Sequence, residues 1–486
     1  MKRILIFLYF AILCHNLQAQ LPEYFSKFAS DTVFRNAAIS ICLRDGVSGE
    51  IIAGYNENMA LGSASIMKLV TTSAALEMLG PDHRFSTHIG YAGDLNRNDS
   101  LLKGHLVIRG GGDPTLLSEY FPDHNPDLLN VWANALSGHG IRSVEGCIVA
   151  DAKIFDYHPA ASGWSWADIG NYYGAGPHGL SVSDNMYRIH FRTGHEGDRP
   201  ELTFIEPEIP GLLIENLLTS YGTADNGYVY LEPYGDHAVI RGQIPVNRED
   251  FVLKASMPDP PLFLAESFSN FLIGNGFNVT GQSTTLRISP SIGKEYINAQ
   301  KTICISTHSP PLAEIITITN RESVNLFAEH LLKYLGYVGT LSEGATRPAG
   351  IKVVESFISA KIPGHTGLYM TDGSGLSRSN ALSSEFVTSL LHYMKTKSRY
   401  SEVFISSLPE AGEEGTLEYY FRDPVFRANL RAKSGTSTRI RNYAGYFSTL
   451  SGRPVIFAVF TNNFNCTSSE VTERVEVLLK KIIENY

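Results

Sequence analysis

The chain has 486 residues, 43% of them hydrophobic and 18% charged, with a formal net charge of −9. A length of this order calls for two or three domains of ordinary globular composition. The negative balance argues against nucleic acid or an anionic membrane as the main partner.

The chain opens on Met1-Lys2-Arg3, an apolar run from Ile4 to Cys14, and a polar stretch ending at Ala19. That is the pattern of a cleavable secretory leader, too short in its apolar part to span a bilayer. A buried N-terminal helix is the alternative. The remaining cysteines, Cys42, Cys147, Cys304 and Cys466, lie too far apart for a zinc site or redox motif, and they imply no disulfide framework.

Residues 37–44 and 50–55 read as two strands around the turn Asp45-Gly46-Val47-Ser48-Gly49. Apolar positions Ile66, Leu69, Val70, Ala74 and Met78 then recur at spacings of three and four, a helix stopped by Gly80-Pro81. Residues 84–300 change texture. Gly, Pro and Asn punctuate short strand-like stretches (104–109, 147–150, 186–192, 228–231), with one helical segment over 128–136. This reads as an insertion of one or two small domains.

Helical segments return over 311–320 and 326–335, followed by strands over 429–433, 443–450 and 455–461, the last two joined by Ser451-Gly452-Arg453-Pro454. Both chain ends therefore read as parts of one antiparallel sheet packed with helices. The stripe Val471, Val475, Leu478, Leu479, Ile482 and Ile483 closes the chain as a helix. Core is the expected destination rather than a membrane surface, since Glu470, Glu473, Glu476 and Glu484 flank it. No later segment is apolar enough to cross a membrane.

Chemistry concentrates in three short elements. Ser65-Ile66-Met67-Lys68 opens the first helix, and the i, i+3 spacing puts the lysine amine within reach of the serine hydroxyl. Ser-x-x-Lys alone is weak, expected about twice by chance in a chain of this composition. Ser291-Ile292-Gly293-Lys294 fits it too, but follows Pro290 and contains Gly293, so no helix is expected to hold that pair on one face. Ser323-Val324-Asn325 falls between two helical segments, where a hydroxyl and an amide can protrude together. Lys433-Ser434-Gly435-Thr436 ends a strand, where Gly435 permits close approach of a substrate backbone. Decoys exist here as well, Ser183-Asp184-Asn185 and Arg192-Thr193-Gly194. They lie too close together in sequence to form two walls of a site.

In this order the three elements resemble the signature of penicillin-binding proteins and serine β-lactamases. The separation from Ser65 to Ser323 is 258 residues (323 − 65) and from Ser323 to Lys433 is 110 (433 − 323). A long first gap and a short second one resemble the low-molecular-mass class C penicillin-binding proteins, the D-Ala-D-Ala carboxypeptidase/endopeptidase family. The stretches Gly110–Leu116, Asp372–Arg378 and Ser407–Gly412 with Gly415-Thr416-Leu417 extend the likeness over nearly the whole mature chain.

The resemblance implies an α+β fold: a transpeptidase/β-lactamase-like domain, an antiparallel sheet flanked by helices, with a large two-domain insertion between the first and second motifs. It implies a leader over 1–19, a catalytic domain over 20–83 and 300–486, one inserted domain over 84–112 and 177–299, and another over 113–176. By similarity Ser65 is the acylated nucleophile and Lys68 its base. Ser323 relays a proton to the leaving group, Asn325 orients Lys68 and the substrate amide, and Lys433 supplies positive charge. Ser434 and Thr436 hold the substrate's terminal carboxylate beside Gly435, with an oxyanion hole from the Ser65 and Thr436 amides. Arg378 matches a substrate-contacting arginine, for which a structural ion pair is the plainer explanation. Asp151 resembles an aspartate that meets the charged side chain of the stem peptide, for which a turn-capping role is the plainer explanation.

The implied partners are peptidoglycan stem peptides, with β-lactam antibiotics as covalent inhibitors, in the periplasm or cell envelope. No metal or organic cofactor is needed, and a homodimer is left open. A serine β-lactamase or esterase would use the same acylation with faster deacylation. A non-catalytic binding protein would be expected to have lost one of Ser65, Lys68, Ser323 or Lys433.

Overall fold

A computed structural model of the chain describes residues 21–298 and 301–486, and the leader expected over 1–19 lies outside them. Two compact units emerge. One comprises the N-terminal segment up to Asp82, Leu312–Val324 and Ile351–Tyr486; the other comprises His83–Pro311 and Asn325–Gly350.

The first unit is built on a five-stranded sheet in which the strands from the two chain ends interleave. Its order is Arg431–Ser437, Ile440–Ser448, Pro454–Asn462, Ala38–Asp45, Ile51–Tyr55. Every pair is antiparallel. Pro454–Asn462 and Ala38–Asp45 at the centre are buried on both faces, so they read as continuous apolar runs rather than alternating ones.

Helices Leu21–Ala29 and Ser468–Asn485 contribute to the core of one face, where Val471, Val475, Leu478, Leu479, Ile482 and Ile483 are all buried. The C-terminal stripe is therefore core. Its helix starts at a capping box, with Thr467 Oγ1 accepting from Glu470 N at 3.2 Å and the Glu470 carboxylate accepting from Thr467 N at 2.8 Å. Helix Ser384–Thr396 packs on the two central strands. Arg44 anchors it by donating from Nη2 to Glu385 Oε1 at 2.7 Å. Helix Met67–Leu79 is buried on every side through Leu76 and packs against Leu312–Arg321.

In the second unit a mixed sheet centres on Leu101–Arg109, antiparallel to Ser86–Asn96 and parallel to Ser143–Glu145 and Ile148–Asp151. Two three-stranded sheets accompany it. Helix Asn325–Thr340 belongs to this unit and is fastened there by buried charged groups. Lys333 Nζ donates to Asp156 Oδ1 at 2.5 Å and to His158 O at 3.1 Å. Beyond the helix, Arg347 Nε donates to Glu329 Oε2 at 2.7 Å.

One expectation is corrected here. Pro290–Asn298 is a helix, so Ser291 and Lys294 do share helical spacing. Proline is harmless at the first helical position, where its missing N–H has no partner to lose, and one glycine costs only about 1 kcal/mol. Both residues are solvent-exposed. No helix among the described residues is long and apolar enough to cross a membrane.

If the C-terminal helix is core, Leu479→Ala should destabilise the protein by about 2–5 kcal/mol in urea denaturation. Val477→Ala, at a position that is 53% exposed, should stay within about 0.5 kcal/mol of the parent. Similar small effects at both positions would contradict the packing.

Candidate active site

The first motif straddles a turn and a helix. Ala64–Ile66 forms a short 3₁₀ turn that runs into helix Met67–Leu79. Ala64 adopts φ +43°, unusual for a residue with a Cβ. The turn leaves Ser65 half-buried while Lys68 is fully buried beneath it. Lys68 Nζ lies 3.0 Å from Ser65 Oγ and donates to Ser374 O at 2.8 Å.

That carbonyl belongs to the tight turn Asp372-Gly373-Ser374-Gly375, which Asp372 organises. Its carboxylate accepts from Gly375 N at 2.7 Å, Ser377 N at 2.6 Å and Asn380 Nδ2 at 2.8 Å. Thr71, one turn along the helix from Lys68, donates to Gly373 O at 2.7 Å. A Cβ on Gly375 would fall 1.8 Å from Ala64 O. The glycine is therefore what lets this turn press against the backbone that presents Ser65.

A second serine–lysine pair faces the same unit. Ser323 follows helix Leu312–Arg321 with φ +60°. Lys433 Nζ donates to Ser323 Oγ at 2.9 Å and to Ser434 O at 2.8 Å. Burial, then the charge of Lys68, then that of Arg441 hold Lys433 well below the ordinary lysine range, with only Glu322 pulling the other way. A proton on Lys433 is thus easily surrendered.

Strand Arg431–Ser437 passes directly beside the Ala64–Ile66 turn, because a Cβ on Gly435 would meet Ser63 O at 2.8 Å and Ile66 N at 3.2 Å. Asn442, opposite Gly435 in the ladder, donates from Nδ2 to Gly62 O at 2.8 Å and Ser63 O at 3.1 Å, fixing that approach. Thr436 is exposed, whereas Ser434 is buried. The first unit therefore brings together Ser65, Lys68, Ser323, Lys433, Ser434, Gly435 and Thr436. Two hydroxyls each sit within hydrogen-bond reach of a buried amine, the arrangement needed to move protons on and off a serine nucleophile.

The sequence pattern of the D-Ala-D-Ala carboxypeptidase 3 (S13) family matches residues 21–484. The chain belongs to that family. It is 26% identical over 456 residues to the D-alanyl-D-alanine carboxypeptidase of Actinomadura sp. (strain R39), covering 91% of this chain and 81% of that one. The crystal structure of penicillin binding protein 4 (dacB) from Haemophilus influenzae aligns with a TM-score of 0.78 at 20% identity, over 93% of this chain and 97% of that one. The same protein complexed with a novel β-lactam aligns with a TM-score of 0.73 at 18% identity, over 96% and 99%. This S13 protein shares their α+β architecture.

The other candidate residues have their own surroundings. Arg378 is exposed on the loop after the Asp372 turn and forms no ion pair among the described residues. In the second unit Asn325 donates from Nδ2 to Tyr173 O at 2.8 Å. Asp151, also there, ends strand Ile148–Asp151 and is 2% exposed. Its Oδ1 accepts from Lys153 N at 3.2 Å, while Oδ2 has no hydrogen bond and lies 4.0 Å from Arg109 Nε. Burial raises its carboxyl pKa against the pull of Lys153 and Arg109.

The decoy Ser183-Asp184-Asn185 is a three-residue left-handed turn in the second unit. Asp184 accepts from Ser118 Oγ at 2.6 Å and Glu119 N at 2.9 Å, and Asn185 donates to Gly176 O at 2.9 Å. Those bonds join loops within the unit. Sequence reasoning quoted the Asp372 stretch without giving the aspartate a task, and it passed over Arg441 entirely.

Gly375→Ala should therefore act at a distance from any substrate. The added methyl has nowhere to go and the φ of +85° is unfavourable for alanine. Acylation of Ser65 by penicillin, followed by intact mass, should slow at least tenfold or so. A variant with parental acylation kinetics would show that the turn does not set the position of Ser65.

Proposed function

We propose that the protein is a serine-type D-Ala-D-Ala carboxypeptidase or endopeptidase that cleaves peptidoglycan stem peptides through an acyl-enzyme on Ser65, with β-lactams as covalent inhibitors. The pairing of Ser65 with Lys68 at 3.0 Å, beside Ser323 with Lys433 at 2.9 Å, carries the reading. Once it has given up its own proton, Lys68 takes the Ser65 proton as Oγ attacks the carbonyl of the penultimate D-alanine. The Ser65 and Thr436 amides stabilise the oxyanion. As the intermediate collapses, the C–N bond breaks and Ser323 passes a proton from the lysines to the departing amine. Water then attacks the ester by the reverse proton path, releasing the shortened peptide and restoring Ser65.

In this reading Asn325 orients the substrate amide and Lys433, while protonated, attracts the terminal carboxylate held by Ser434 and Thr436. Arg378, exposed and without an ion pair among the described residues, is available to the peptide. Asp151 offers a buried carboxylate oxygen with an unfilled hydrogen-bonding position, suited to the ammonium of a diamino acid. Action on the cell wall places the protein in the periplasm or cell envelope, in keeping with the leader-like N-terminus.

Two measurements test this. Penicillin should add one covalent equivalent, at Ser65, and turn over slowly. Ser65→Ala should abolish both the adduct and cleavage of muropeptides followed by mass. Ser323→Ala should slow acylation by about a hundred-fold or more, while Ser183→Ala leaves it unchanged. Rapid penicillin hydrolysis without muropeptide cleavage would identify a β-lactamase instead.

Asp151→Ala should lower kcat/KM about ten- to a hundred-fold for stem peptides carrying a free side-chain ammonium. Acylation by a simple penicillin should hardly change. Equal losses on both would make Asp151 a fold-supporting residue.

A further inference from the structure

Arg441 is a buried cation that no carboxylate among the described residues answers. It lies directly across the ladder from Thr436 and is only 6% exposed. Its Nη1 donates to Thr436 Oγ1, and its Nε donates to Tyr443 Oη at 2.7 Å and Thr472 Oγ1 at 3.1 Å. The rings of Tyr420 and Tyr443 flank the guanidinium at 4.7 Å and 5.1 Å. Among the described residues it forms no ion pair, and Nη2 is buried without an acceptor. Burying a guanidinium carries a large desolvation cost, which a counter-ion and full hydrogen bonding normally offset. Here the offset is incomplete.

The bond to Thr436 has a directional consequence. A threonine hydroxyl carries one proton, and Oγ1 here accepts from a cation that has only protons to give. The Thr436 proton is therefore left to donate elsewhere, and the exposed side of the strand is where it can go. An anion placed there receives a hydrogen bond from a hydroxyl backed by a full positive charge, which is stronger than one from a hydroxyl alone.

We propose that Arg441 is a specificity-determining positioning residue: acting through Thr436, it selects substrates whose leaving residue carries a free α-carboxylate. This rests on the carboxypeptidase/endopeptidase reading above. The carboxylate supplies the negative charge that the buried guanidinium lacks, so its binding is favoured by completing an electrostatic pairing that the protein leaves open. An uncharged terminus gains nothing from this pairing with Arg441.

The test compares two peptides, one ending in D-Ala-D-Ala with a free carboxylate and the other in D-Ala-D-alaninamide. They are assayed with the parent protein, Arg441→Met, Arg441→Lys and Thr436→Val. In Arg441→Met, whatever is lost through Lys433 is common to both peptides, and kcat/KM for the carboxylate peptide should fall about ten- to a hundred-fold further than that for the amide peptide. The selectivity ratio should thus collapse, and Arg441→Lys should recover part of it. Thr436→Val, which keeps the arginine but removes the relay, should collapse the ratio too; if Arg441→Met does not fold, Arg441→Lys is the decisive variant, with a ratio expected between those of the parent and Thr436→Val. Equal losses on both peptides in Arg441→Met, or a parental ratio in Thr436→Val, would overturn the proposal. Failure of the parent protein to cleave either peptide would instead overturn the functional reading beneath it.

Discussion

The first unit turns on the burial of two lysines against serines. An ammonium taken out of water loses several kcal/mol of solvation unless an opposite charge or enough acceptors replace it. Lys433 has no carboxylate partner among the described residues; its acceptors are the Ser323 hydroxyl and the Ser434 carbonyl. The proton it carries is consequently labile, and proximity to Lys68 loosens it further. An amine whose proton is held less tightly than usual is useful for proton transfer, whereas a well-paired one is not.

That constraint dictates much of the surrounding backbone. Carbonyls must be aimed at the amines, so Asp372 is committed to folding a turn that presents Ser374 O. The turn can approach only because residue 375 lacks a side chain. Ser323 and Ala64 are held at left-handed φ without glycine, a local cost of about 1–2 kcal/mol each. Packing against the Gly435 strand and the Asn442 amide keeps the Ala64–Ile66 turn in place. The interleaved sheet makes this possible, since strands from opposite ends of the chain are needed to set Lys433 beside the helix that begins at Met67.

Parts of this were legible in the sequence because they are local. The i, i+3 relation of Ser65 and Lys68 needs only one helical turn, and the C-terminal stripe needs only helical period. The alternation of strands at both chain ends made one shared sheet the economical reading, although its strand order required the fold. The decoy at Ser291 was judged non-helical because proline was treated as a breaker where it is a starter. What separates it from Ser65 is exposure, a tertiary property. Arg441 was illegible for a related reason: it matters through cross-strand register with Thr436, and that register exists only once the hairpin is closed. Asp372 acts through bonds to Gly375, Ser377 and Asn380 nearby in sequence, so its stretch could be noticed but its service to Lys68 could not.

A comparison of buried cations separates support from chemistry. In the second unit Lys333 is as buried as Lys433, yet it meets Asp156 at 2.5 Å. Burial and Arg347 lower its pKa to about 8 even though Asp156 and Glu329 oppose them. Arg347 is matched by Glu329 at 2.7 Å and caps the His158 carbonyl at 2.8 Å. These cations end in carboxylates, and what they do is fasten the helix at Asn325 to the loop after Asp151. In the first unit Lys433 and Arg441 end in hydroxyls, on Ser323 and Thr436 respectively. A hydroxyl can pass a proton on or turn it toward a ligand, whereas a carboxylate pair closes the account within the protein. The partner at the end of the cation, more than its burial, is what sets Lys433 and Arg441 apart from the cations that only fasten the fold.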